Sequence, residues 1–126
     1  MSIRTPRARV RGLGSAKSGT THFWHERLTA VALLPLTIAF VVIVVSLLGR
    51  SHATTMQTLG SPLVAITMLL FVLTGVYHMK LGMQVIIEDY VHDEGWKFTL
   101  LIANIFFAFA TGLACVFAIL KVSFGV

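Results

Sequence analysis

Three long apolar runs dominate this sequence and constrain its fold more than any other feature. They cover residues 28–48, 63–87 and 98–120, and each is long enough to supply the roughly 20 residues that an α-helix needs to cross a hydrocarbon core. Apolar residues make up 56% of the 126 residues and charged residues 12%, an imbalance that a soluble chain of this size could not bury. The sequence therefore predicts an all-α integral membrane protein, with residues 28–126 forming a domain of three transmembrane helices.

Residues 1–27 form a basic arm before the first run, and the sequence predicts an irregular backbone up to residue 26. The cations of this arm are Arg4, Arg7, Arg9, Arg11 and Lys17. No aromatic side chains interleave with the arginines, so nucleic acid is not a predicted partner, whereas anionic membrane lipids are. Because cations near the end of a span stay on the inner side, the arm is predicted to be cytoplasmic and the carboxyl terminus external.

A bacterial inner membrane is the expected location, because the roughly 25 residues before the first run leave little room for both a removable presequence and a retained arm. An arginine-rich, acid-poor start also resembles a mitochondrial transit peptide, so the mitochondrial inner membrane is the alternative location.

His78 lies deep in the second apolar run, where an ionisable side chain is costly unless a partner accepts it. That partner is a group on another helix, a proton path, or a metal or haem iron that takes the lone pair of the neutral ring. Gly75 and Gly82 share the helical face of His78 and would leave a flat strip beside the imidazole. Such a strip suits a flat macrocycle, but small residues beside a polar one are also ordinary helix-packing positions.

Asp89 and Tyr90 follow the second run at the start of an acidic stretch, residues 88–97. On a helix, Asp89 would lie about 16 Å from His78, near the membrane surface. A phenol beside a carboxylate can donate a hydrogen bond to a quinone carbonyl and keep a proton source nearby. The alternative is that these carboxylates belong to a solvated loop.

Several other residues have simpler interpretations. Lys80 is predicted to extend its side chain towards the interface, and Asn104 to make an interhelical hydrogen bond. Pro62 suits the first turn of the second helix with Ser61 as its cap, after a short polar connection over residues 49–61. The single cysteine, Cys115, is predicted to be a packing residue.

Three stretches together carry a family resemblance. They are HMKLGM at 78–83, DYV at 89–91 and, upstream, FWHERLTA at 23–30. With the three-span layout, these motifs resemble the smaller membrane-anchor subunit of succinate dehydrogenase, respiratory complex II, in its alphaproteobacterial form, over most of the chain.

The resemblance implies that His78 is an axial ligand of haem b, and therefore of its iron, with the second ligand supplied by a partner anchor subunit resembling cytochrome b556. It also implies that Tyr90 lies at the ubiquinone pocket and that Asp89 shapes this pocket. Arg27, with His22 or His25, is expected either to face the haem propionates or the quinone pocket, or to extend to lipid phosphates.

The resemblance further implies that an iron-sulfur subunit and a flavoprotein subunit dock on the cytoplasmic face. Electrons would pass from the iron-sulfur clusters to ubiquinone, which joins the tricarboxylic acid cycle to the respiratory chain. The chain has no flavin or nucleotide motif and no cysteine set for a cluster. We therefore expect that it does not oxidise succinate by itself.

Two alternatives stay open. One is a cytochrome b subunit of another quinone oxidoreductase, although such a subunit would more usually supply both axial histidines and only His78 lies deep in a span. The other is a non-redox assembly or transporter subunit in which His78 and Lys80 pair with groups on a partner helix.

Overall fold

A computed structural model of the protein describes residues 3, 5–12 and 19–125, apart from the side chain of Ala8. Two of the cations that predict a cytoplasmic location for the arm, Arg4 and Lys17, lie outside the described residues. Five helices follow one another along the chain: α1 (Pro6–Arg11), α2 (Gly19–Ser46), α3 (His52–Leu59), α4 (Pro62–Tyr90) and α5 (Glu94–Phe124).

Three of these helices are long and apolar enough to cross a membrane, namely Thr20–Ser46 within α2, all of α4 and all of α5. Most of their large apolar side chains are exposed, as expected for surfaces that face lipid. The predicted all-α membrane fold with three spanning helices is confirmed.

The predicted irregular backbone over residues 1–26 is wrong where the structure describes this arm. Residues 6–11 form α1, which begins with Pro6 and is rich in arginine; proline suits a first helical position, and arginine is a good helix former. Helix α2 already begins at Gly19, so the last part of the arm is helical as well.

The polar connection over residues 49–61 is also more ordered than predicted, because it contains α3. Ser51 caps this helix, its hydroxyl accepting a hydrogen bond from the Thr54 backbone N–H at 3.2 Å. Helix α3 ends at Gly60, where an added Cβ would lie 3.2 Å from the Val122 carbonyl oxygen of α5. The absence of a side chain at Gly60 thus lets α3 pack against the end of α5.

Pro62 occupies the first turn of α4, as predicted. Ser61 stands at the N-cap position, but its hydroxyl donates to the Thr58 carbonyl at 2.8 Å and makes no cap hydrogen bond to α4. The predicted capping role of Ser61 is therefore wrong, because its hydroxyl is directed to the end of α3 and accepts no hydrogen bond from the first turn of α4.

The acidic stretch over residues 88–97 is mostly helical. Helix α4 continues to Tyr90 and α5 begins at Glu94, which leaves residues 91–93 as the connection. The carboxylate of Asp93 accepts a hydrogen bond from the Trp96 backbone N–H at 2.9 Å and so caps α5. The predicted solvated loop is correspondingly short.

Helix α4 is the centre of the fold, because it packs against both α2 and α5, whereas α2 and α5 make no contact within the described residues. The rings of Phe40 on α2 and Phe71 on α4 stack with centroids 4.6 Å apart. Asn104 on α5 donates to the Lys80 carbonyl of α4 at 3.0 Å, which confirms the predicted interhelical hydrogen bond. These antiparallel pairs bring the start of α2, the end of α4 and the start of α5 to one side of the bundle.

Candidate functional site

His78 lies on the side of α4 that faces α2, and its side chain is half-buried. Its Nδ1 atom is 2.8 Å from the Thr29 hydroxyl of α2. The Nε2 atom has no hydrogen-bond partner within the described part of the chain. One ring nitrogen is thus held by the neighbouring helix, while the other is left available to a group outside this chain.

The two glycines beside His78 have different surroundings. An added Cβ at Gly82 would meet nothing within 4 Å, whereas one at Gly75 would lie 3.9 Å from the Leu33 side chain of α2. The strip predicted beside His78 is therefore open on the Gly82 side and adjoins α2 on the Gly75 side.

A second polar pair joins the same two helices one residue earlier on α4. The Tyr77 hydroxyl lies 2.6 Å from Nδ1 of His25, near the start of α2. Sequence analysis assigned no role to Thr29 or Tyr77. A hydroxyl inside an apolar run does indicate that a polar contact is needed. Which group it contacts depends on how α2 and α4 align.

Arg27 and His22 also lie on the first turns of α2. The Arg27 guanidinium lies over the Phe23 ring, 5.1 Å from its centroid, and makes no ion pair with a described residue. The Nε2 atom of His22 is buried and has no hydrogen-bond partner among the described residues. Both side chains therefore keep unused hydrogen-bonding capacity at this end of the bundle.

Asp89 and Tyr90 occupy the last turn of α4, and both side chains are exposed; Tyr90 keeps 77% of its surface accessible. The eleven residues from His78 to Asp89 bring the helix back to within about 20° of the same face, about 16 Å farther along its axis. The structure thus places Asp89 on the His78 face but does not bring the two side chains together.

A polar ladder runs along α4 between these two levels. The Lys80 ammonium donates to the Gln84 side-chain oxygen at 3.4 Å, and the Gln84 amide donates to the Glu88 carboxylate at 3.0 Å. Each step is one helical turn towards the end of α4. The Lys80 side chain thus extends along α4 towards its acidic end, and its reach to the membrane interface stays a prediction.

A groove of 330 Å³ lies between α4 and α5, on a side of α4 that does not include His78. Its walls are almost entirely apolar, with Lys80 and Tyr77 as the polar exceptions. No group of three or more histidine, cysteine, aspartate or glutamate side chains comes together among the described residues. His78 is therefore not part of a cluster of three or more such side chains within this part of the chain.

The fold and the site define a polytopic α-helical membrane protein with an oriented histidine inside a spanning helix and an acidic, tyrosine-bearing end to that helix. The sequence matches the family model described as succinate dehydrogenase/fumarate reductase transmembrane subunit over residues 1–118. The chain belongs to this family.

Individual relatives agree with this assignment. The chain is 35% identical to the succinate dehydrogenase hydrophobic membrane anchor subunit of Paracoccus denitrificans, over 99% of this chain and 96% of that protein. It is 32% identical to the subunit of the same name from Rickettsia bellii, over 93% of this chain and 94% of the relative. No solved structure matches the chain significantly. The predicted resemblance to the alphaproteobacterial succinate dehydrogenase anchor is confirmed.

Proposed function

We propose that this anchor subunit binds haem b through His78 and contributes to the site at which ubiquinone is reduced. The proposal rests on the hydrogen bonding of the His78 imidazole. Its Nδ1 atom lies 2.8 Å from the Thr29 hydroxyl, while Nε2 has no partner among the described residues. A histidine that ligates a metal usually donates its other ring N–H to a neighbouring oxygen in this manner.

The residues around His78 fit a haem. The open space at Gly82 leaves room beside the imidazole for a flat group, and a second ligand would come from the partner anchor subunit. When bound, the haem would supply a one-electron redox centre. Arg27, with its guanidinium exposed and free of carboxylate partners within the described residues, is suited to a propionate or to the quinone pocket.

The quinone part of the proposal rests on the end of α4. The Tyr90 hydroxyl is exposed and has no hydrogen-bond partner within the described part of the chain, so it is available to donate to a quinone carbonyl. Asp89 precedes it and would orient the quinone or supply protons to it. This chain alone leaves these side chains uncovered, so the pocket would be completed by partner subunits.

The remaining parts of the proposal concern assembly. The chain would pair with a second anchor subunit, and an iron-sulfur subunit and a flavoprotein subunit would dock on the cytoplasmic face of a bacterial inner membrane. Electrons would then reach ubiquinone from the iron-sulfur clusters. The acidic end of α4 and the start of α5 lie on one side of the bundle, the side on which these soluble subunits would bind.

Two substitutions in the purified complex test the division of roles. We expect His78→Ala to remove most of the b-type signal from the reduced-minus-oxidised visible spectrum and to affect quinone reduction less. We expect Tyr90→Phe, which keeps the ring and removes the hydroxyl, to lower succinate:quinone reductase activity about 10-fold or more with the haem spectrum intact.

Equal effects of both substitutions on both measurements would contradict this division. A native, intact complex without any haem signal would favour the non-redox alternative, in which His78 serves helix packing or proton chemistry. Haem that survives His78→Ala unchanged would exclude His78 as the ligand.

A further inference from the structure

The hydroxyl of Thr29 stands at the centre of three polar contacts. Its oxygen lies 2.8 Å from the His25 carbonyl oxygen, 3.0 Å from the Glu26 carbonyl oxygen and 2.8 Å from Nδ1 of His78. A threonine hydroxyl has one hydrogen to donate and two lone pairs that accept. Two oxygens this close need a hydrogen between them, and a carbonyl oxygen has none to give, so the hydroxyl hydrogen is directed to the backbone of its own helix.

This arrangement determines which nitrogen of His78 carries a hydrogen. With its own hydrogen directed to a backbone carbonyl, Thr29 faces Nδ1 with a lone pair, and Nδ1 must donate. A neutral imidazole with its hydrogen on Nδ1 keeps its lone pair on Nε2. Nε2, which has no partner among the described residues, is thus the nitrogen that can ligate a metal.

We propose that Thr29 is a positioning residue for haem binding, which selects the Nδ1–H tautomer of His78 and fixes the direction of its Nε2 lone pair. This inference rests on the proposed function, because it assigns Thr29 a role only if His78 ligates the haem. It goes further because it assigns the tautomer and orientation of His78, on α4, to a residue of another helix, α2. Oxygen acceptors of this kind both orient a ligating histidine and make it a stronger electron donor.

A purely structural role is the competing explanation, since interhelical hydrogen bonds also hold membrane helices together. The neighbouring pair provides a matched control. The Tyr77 hydroxyl and His25 Nδ1 join the same two helices at 2.6 Å, one residue before His78. Tyr77→Phe therefore removes an interhelical hydrogen bond between α2 and α4 and leaves the Thr29 contact in place.

The experiment compares Thr29→Val, Thr29→Ser and Tyr77→Phe in the complete complex purified in mild detergent. Valine keeps the branched shape of threonine but cannot accept a hydrogen bond. We expect it to lower haem affinity about 10-fold or more. The haem midpoint potential should rise, because a histidine without an acceptor donates less charge and favours the reduced iron. Serine should restore both properties, and Tyr77→Phe should change neither.

The outcomes separate the two hypotheses. A Thr29→Val complex with native potential and native haem content would overturn the positioning role, and so would equal shifts in Thr29→Val and Tyr77→Phe. If the valine variant does not assemble, Thr29→Ala, which is smaller and also lacks an acceptor, provides the same comparison of potentials against Tyr77→Phe. Absence of haem from the native complex, or haem insensitive to His78→Ala, would instead contradict the proposed function.

Discussion

At the scale of single residues, Gly82 provides the most direct test of what lies beside His78. The chain itself leaves space there, because an added Cβ would meet nothing within 4 Å. Alanine at this position should therefore leave the helix pair intact and raise the intrinsic helix propensity of α4 by about 1 kcal/mol. If a haem lies against this strip, we expect Gly82→Ala to lower the haem content of the purified complex, measured from its reduced-minus-oxidised spectrum.

Gly75→Ala is the control for this prediction. It adds the same methyl group to the same helix, but that group would lie against Leu33 of α2, at an ordinary contact distance of 3.9 Å. We expect it to change haem content less than Gly82→Ala. Equal haem contents in the native complex and in both variants would exclude the Gly82 strip as a haem contact.

The residues of the site differ in how far the sequence could predict them. His78 was predictable because an imidazole is costly within an apolar run, and Asp89 and Tyr90 because they follow the end of that run. Thr29 was not predictable as the partner of His78. The two are 49 residues apart in sequence, and their contact exists only because α2 and α4 pack in one particular alignment. No local pattern encodes that alignment.

At the scale of helices, Asn104 is the polar link between α4 and α5. Its side chain is only 7% exposed, and its amide donates to the Lys80 carbonyl at 3.0 Å. Asn104→Leu keeps a similar volume but removes this hydrogen bond. We expect a loss of about 1 kcal/mol, the usual size of an interhelical hydrogen bond in a membrane protein. Unfolding of the detergent-solubilised complex measures this loss as a lower midpoint.

The matched control introduces leucine on the outer face of the same helix. Ala103 adjoins Asn104 in sequence and its side chain is exposed, so Ala103→Leu should leave the unfolding midpoint close to the native value. An Asn104→Leu complex as stable as the native one would show that the hydrogen bond to Lys80 adds nothing to the packing of α4 and α5.

Helix boundaries were harder to predict than the helices themselves. Hydropathy predicted the three spans correctly, but α3 was missed because its polar residues carry no apolar periodicity. It forms because Ser51 caps its start and because Gly60 fits against the end of α5. The extension of α5 back to Glu94 depends likewise on the Asp93 cap. Capping residues and contacts between helices determine where α3 and α5 begin or end. Hydropathy averaged along the sequence detects neither.

At the scale of the whole molecule, the way in which the three spanning helices pack explains why the proposed haem and quinone sites need partner subunits. Helix α4 contacts α2 on one side and α5 on the other, and the outer two do not meet within the described residues. Three helices arranged in this way form an open layer with large exposed apolar faces, not a closed bundle. A partner helix and lipid would have to cover those faces, which agrees with our proposal that the anchor binds haem together with a second subunit.

The same packing makes the orientation of the whole molecule testable. Because consecutive spans are antiparallel, the connection between α4 and α5 lies on the side where α2 begins, and α3 lies on the opposite side. The positive-inside rule favours a cytoplasmic location for the arm. His92 and His52 mark the two sides, and both side chains are exposed.

We expect single-cysteine variants to report this orientation, starting from a Cys115→Ala background so that the native thiol does not react. With a membrane-impermeant maleimide applied to spheroplasts of the expressing bacterium, His52→Cys should be labelled directly, because a cytoplasmic arm would place α3 on the outer side. His92→Cys should be labelled only after lysis in a denaturing detergent, which also removes any subunit docked over it. Labelling of His92→Cys in intact spheroplasts, with His52→Cys protected, would reverse the orientation and move the proposed quinone site to the outer surface, away from an electron donor in the cytoplasm.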